Sequence, residues 1–119
     1  MWQKLLGFGR SALSAQVQTI TPQELYRRMQ NGEPVILVDV RTSQEYKQDG
    51  HIRGSRLIPL SELQQRGEKL SKDRLIVCVC RSGSRSRVAC QQLAGQGFTN
   101  VTNLVGGMNA WRRAGLPTQ

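Results

Sequence analysis

The chain has 119 residues, enough for one moderate core and too few for two. Its 17 Lys and Arg, thirteen of them Arg, stand against 8 Asp and Glu, a formal net charge of +9 that favours anionic partners such as small oxyanions or an acidic protein surface. Aromatic content is only 5%, and no stretch interleaves basic and aromatic residues, which argues against a single-strand nucleic-acid groove.

Residues 1–18 read as a basic N-terminal extension. Met1 to Leu13 contains no acidic residue. At helical spacing Trp2, Leu5, Leu6, Phe8, Ala12 and Leu13 gather on one side, with Lys4, Arg10, Ser11 and Ser14 opposite. Gly7 and Gly9 weaken such a helix. Arg10 breaks the apolar run, leaving it too short for a transmembrane span and poor as a secretory signal. The expectation is a loosely packed extension, with an interfacial anchor and an organelle transit peptide as alternatives.

From about Thr19 strand-like and helix-like segments alternate. Thr21-Pro22-Gln23-Glu24 forms a capping box with proline at the first helical position, opening a helix to about Met29 that Asn31-Gly32 ends. Val35 to Val40 is a continuous apolar run ending in Asp39-Val40, the pattern of a buried parallel strand. Ser43 to Lys47 is a short helix, closed near Gly50. Leu57 to Pro59 is a brief strand, and Ser61 caps a helix to about Arg66. Leu75 to Val79 is a strand, followed by a helix from about Arg87 that ends at Gly95 or Gly97. Val101 to Leu104 is a last strand, and Gly106 to Trp111 opens a last helix. No repeat or linker interrupts residues 19–117. The alternation predicts one α/β domain over 19–117, a parallel sheet covered on both faces, with its site at the carboxyl ends of the strands.

The turn Cys80-Arg81-Ser82-Gly83-Ser84-Arg85-Ser86 lies at one such end. A cysteine between a buried strand and a helix start meets backbone N–H groups arranged as an anion nest. A thiolate there is stabilised by those groups, by the helix dipole and by nearby arginines. Arg81 and Arg85 also attract an oxyanion substrate, and Gly83 permits a positive φ. This is the chemistry of a nucleophilic cysteine acting on an anion. The other two cysteines, Cys78 and Cys90, read as core. With an odd count and no second Cys or His cluster, no metal or cofactor site is expected, and reduced thiols in a reducing, cytoplasmic setting are. Arg41 stands at the end of the preceding strand. Its expected partner is Glu45, one turn on, with a contribution to the pocket as the alternative. His51, the one histidine, reads as a turn residue bonding to backbone, and Trp111 as packing under the last helix.

Four blocks together resemble the rhodanese family, single-domain sulfurtransferases of the thiosulfate type: Val38-Asp39-Val40-Arg41 with Glu45-Tyr46; Gly50 to Ser55; Val79 to Ser86; and Asn103 to Trp111. The resemblance covers about residues 19–117. It implies a central, mostly parallel five-stranded sheet with helices on both faces. Carried over by position, Cys80 is the nucleophile and sulfur carrier. Arg81, Ser82, Gly83, Ser84 and Arg85 cradle the substrate, with Arg41 as a further candidate contact. The implied partners are a small anionic sulfur donor such as thiosulfate and an acceptor such as cyanide, a thiol or a protein. Cysteine phosphatases and arsenate reductases share this cradle logic, but they carry an arginine where this chain has Ser86. A non-enzymatic persulfide carrier is the other alternative.

Overall fold

Thr21 and Thr42 start two helices by the same device, completed at only one of them. The structure, a computed structural model, describes residues 17–119; most of the N-terminal extension, and with it the amphipathic reading, lies outside them. Helix α1 (Pro22–Gln30) is capped by Thr21, whose Oγ1 accepts from the Glu24 N–H at 3.1 Å. Glu24 does not return to the cap. Its carboxylate takes Arg27 and Arg28 instead, so half of the expected box forms. At α2 (Ser43–Gln48) the box is complete: Thr42 caps the Glu45 N–H, and the Glu45 carboxylate accepts from the Thr42 N–H.

Five strands, β1 (Val17–Ile20), β2 (Val35–Asp39), β3 (Arg56–Leu57), β4 (Leu75–Val79) and β5 (Val101–Leu104), form one sheet in the order β1-β5-β4-β2-β3, parallel throughout. β1 carries no strand signal in the sequence. It is a sheet edge with Gln18 and Thr19 exposed, so only Ile20 shows the burial that a sequence pattern could register. β3 is shorter than expected, stopping two residues before Pro59, which has no N–H to extend a ladder. The helix expected from Ser61 is also corrected. A 3₁₀ turn (Leu60–Glu62), a single α turn α3 (Leu63–Arg66) and a second 3₁₀ turn (Gly67–Lys69) replace it, and Ser61 lies inside the first turn without capping.

Alternation along the central strands divides the core. Ile36, Val38, Ile76, Cys78 and Cys80 face one side, where α4 (Ser84–Gly95) covers them with Ala89, Cys90 and Leu93. Leu37, Val77 and Val79 face the other, under Leu25 of α1 and Met108 and Trp111 of α5 (Gly107–Arg113). The side chains of Trp111 and Leu93 are fully buried, as expected of core positions. Helices therefore cover both faces, and the carboxyl ends of β2, β4 and β5 converge on one edge. There Asp39 pairs with Val79 and Cys78 with Asn103.

Candidate active site

The turn after β4 closes around its own cysteine. Gly83 has φ 106°, a left-handed conformation that turns the chain into α4. Its N–H then donates to Cys80 Sγ at 3.0 Å, and Ser86 Oγ approaches the same sulfur at 3.2 Å. Burial alone pushes the Cys80 thiol up. The Ser86 hydroxyl and the backbone N–H groups of Ser86, Gly83 and Ser82 outweigh it and hold the pKa below that of an ordinary thiol. Cys78 goes the other way. A hydrogen bond with Cys90 and complete burial raise its pKa well above the ordinary value. All three thiols are free and buried, and the Cys80 sulfur is the one met by the Gly83 N–H and the Ser86 hydroxyl.

The start of α5 fixes the loop from behind. The Met108 N–H donates to the Cys80 carbonyl at 2.8 Å and the Asn109 N–H to the Arg81 carbonyl at 3.0 Å. Gly107 makes this approach feasible, since a Cβ there would collide with the backbone of Cys80 and Arg81.

The sequence reading brings Arg81, Ser82, Gly83, Ser84 and Arg85 to Cys80; the structure places Arg81, Ser82 and Gly83 in the turn and Ser84 and Arg85 at the start of α4. Neither arginine is bare. Arg85 makes a two-pronged ion pair with Glu45, at 2.8 and 2.9 Å, and Arg81 lies 3.5 Å from both Glu45 and Asp49. Arg85 holds the Glu45 carboxyl down at about 2. Arg41 departs from expectation. It is buried and bonds to Asp39 at 2.8 Å and to the Gly50 carbonyl at 2.8 Å, not to Glu45. The reason is local: the strand end turns Asp39 and Arg41 to the same side, and Glu45 is already held by Thr42 and Arg85. With its charge met by Asp39 inside the fold, Arg41 braces the β2 end. His51 is a turn residue, its Nδ1 3.0 Å from the Tyr46 carbonyl and its ring stacked 3.7 Å from the Tyr46 ring.

Residues 21–114 match the model of the rhodanese-like domain. The chain belongs to the rhodanese-like family. A sulfurtransferase of Allochromatium vinosum is 43% identical over 101 residues, which cover 85% of this chain and 94% of that protein. A putative sulfur carrier protein of Bacillus subtilis is 33% identical over 98 residues; the match covers 82% of this chain and 52% of that longer protein. The crystal structure of a rhodanese-related protein from Thermoplasma volcanium superposes with a TM-score of 0.78 at 29% identity, covering 86% of this chain and 97% of that one. These relatives support sulfur transfer as the general chemistry of this chain. Among the described residues, no helix is long and apolar enough to cross a membrane.

Three contributors escaped the sequence reading. Ser86 is fully buried beside the sulfur, although it stood in the motif. Asn103 is a buried amide, 8% exposed, in a strand whose four residues are all buried, and that mismatch was its signal. Its Nδ2 donates to the Gly83 carbonyl at 3.0 Å, which turns Oδ1 toward Ser86. Glu45 was legible only as a partner for Arg41 one turn away, because the arginine it holds, Arg85, lies forty positions on.

Proposed function

We propose that this rhodanese moves sulfane sulfur from thiosulfate or a related donor to a thiophilic acceptor through a persulfide on Cys80. The observation that carries the reading is the hydrogen-bonded ring at Cys80 Sγ, built from Gly83 N–H, Ser86 Oγ and the neighbouring backbone N–H groups. The Cys80 thiolate attacks the outer sulfur of thiosulfate. The S–S bond to the sulfonate breaks, its electron pair leaves with sulfite, and Cys80 retains the sulfur as a persulfide anion. The ring that held the thiolate now holds the terminal sulfur's charge. Cyanide or a thiolate then attacks that terminal sulfur and leaves the Cys80 thiolate behind. No general base is required, because the lowered pKa supplies the thiolate. Arg81 and Arg85 face the incoming donor as cations at the mouth.

Phosphoryl transfer is disfavoured by the same geometry. Ser86 occupies the position of the phosphatase arginine and points inward at the sulfur. Arg87 lies with Val17, Thr19, Gln91 and Asn103, on the β1 side of the helix. A partner-dependent carrier role is the second reading, favoured by the likeness to a protein named as a sulfur carrier. Turnover of thiosulfate with cyanide, and with a thiol, in the absence of any partner protein tests the proposal. Turnover abolished by Cys80→Ser supports it. A stable persulfide without turnover favours the carrier, and Cys80-dependent hydrolysis of an aryl phosphate contradicts both.

A further inference from the structure

The mouth of the loop carries as many fixed negative charges as positive ones. Arg81 and Arg85 are the cations, and Glu45 and Asp49 are the anions set against them. Glu45 is the better placed of the two carboxylates. Its side chain is 15% exposed, against 43% for Asp49. Oε1 accepts from the Thr42 N–H at 3.0 Å, from Thr42 Oγ1 at 3.2 Å and from Arg85 at 2.8 Å. Oε2 accepts from the second arm of Arg85 at 2.9 Å and faces Arg81 at 3.5 Å. A carboxylate tied at both oxygens to its own helix start and to two loop arginines cannot swing aside to clear the arginines for a ligand. With its pKa near 2, it does not become neutral at working pH either.

We infer that Glu45 sets the donor specificity of this site, tempering the charge of Arg81 and Arg85 so that a dianionic donor such as thiosulfate is disfavoured against donors carrying at most one charge, such as a thiosulfonate or a thiol persulfide. The inference rests on the sulfur-transfer reading for the identity of the donors, but the charge discrimination belongs to the site itself. Each additional negative charge on an incoming ligand meets Glu45 as well as the Cys80 thiolate. Both arms of Arg85 that would grip a sulfonate are already occupied by a carboxylate. Glu45 acts through the arginines and not on the reacting sulfur, so it is a positioning and specificity residue.

Glu45→Gln tests this while preserving the fold, because glutamine serves a capping box as glutamate does. Two matched pairs report on charge. Thiosulfate and methanethiosulfonate both deliver an outer sulfur and differ by one charge. Iodoacetate and iodoacetamide both alkylate the Cys80 thiolate and also differ by one charge. The ratio of kcat/KM for thiosulfate over methanethiosulfonate is expected to rise about fivefold in Glu45→Gln, the size of one charge–charge interaction at contact distance screened by water. The ratio of Cys80 alkylation rates for iodoacetate over iodoacetamide should rise by a similar factor, and 1 M salt should shrink both changes. Any general loss of folded protein cancels in each ratio. If wild type turns over neither donor, the sulfur-transfer reading fails, and the alkylation ratio still decides the role of Glu45. An alkylation ratio unchanged by Glu45→Gln overturns the inference, whatever the turnover.

Discussion

Asn103 Oδ1 lies 2.5 Å from Ser86 Oγ, and the orientation of the amide is fixed because its Nδ2 must face the Gly83 carbonyl. Ser86 therefore stands between two acceptors, the amide oxygen and the Cys80 sulfur, with one proton to donate. In the thiol state Cys80 can donate to Ser86 and Ser86 to Asn103. In the thiolate state the sulfur competes with Asn103 for that proton. β5, which carries Asn103, is thus coupled to the ionisation of the nucleophile.

Removing the hydroxyl should weaken the anion. Ser86→Ala is expected to raise the Cys80 pKa by up to about one unit, the size of one charge-assisted hydrogen bond. Alkylation by iodoacetamide followed against pH measures it. The midpoint of the wild-type curve should lie below the pKa of an ordinary thiol, since the folded site favours the thiolate. The Ser86→Ala curve should be displaced to higher pH. Coincident curves would mean that the backbone N–H groups alone set the pKa.

The buried pair Asp39–Arg41 predicts an asymmetric mutational response. Both side chains are 1% exposed and joined at 2.8 Å. Arg41→Met leaves the Asp39 carboxylate without its cation inside the fold and should cost about 3–5 kcal/mol. Asp39→Leu with Arg41→Met removes both charges and should recover most of that loss. Urea unfolding of the three proteins checks this, with a double variant as unstable as Arg41→Met counting against a structural pair.

Glu45 links stability to acid. Its folded pKa, about 2, lies below the ordinary 4.5 because Arg85 binds the ionised form. The stabilisation is therefore fully present above about pH 4.5 and is lost as pH falls toward 2. Allowing for solvent screening at the half-exposed arginine, it amounts to about 1–2 kcal/mol. Unfolding free energies between pH 6 and 2 should fall more steeply for wild type than for Glu45→Gln by about that amount, after the other carboxylates have been accounted for by the variant's own curve.

The sequence carried the sheet and the turn more fully than the contacts around them. β2 and β4 were legible because strands buried on both faces read as continuous apolar runs. β1 was not, because an edge strand with two exposed polar residues has no such run. Cys80 and Gly83 were legible because their chemistry is local: a thiol at a strand end, and a residue able to take φ 106°. Glu45 pairing with Arg85 was not, because sequence spacing pointed Glu45 at Arg41, one turn away, whereas the fold brings α2 against the start of α4. Asn103 likewise acts across β4 and β5, a relationship that only strand order supplies.

The central claim is that Cys80 carries the transferred sulfur. Intact mass before and after exposure to a sulfane donor, followed by peptide mapping, tests it most directly. One sulfur, about 32 Da, should appear on the peptide containing Cys80, leave on addition of a thiol or cyanide, and never appear in Cys80→Ser; Cys78, shifted away from thiolate by its hydrogen bond with Cys90 and by burial, and Cys90, its partner in that bond, should stay unmodified. Sulfur found on Cys78 or Cys90, or sulfur transfer retained by Cys80→Ser, would contradict the account.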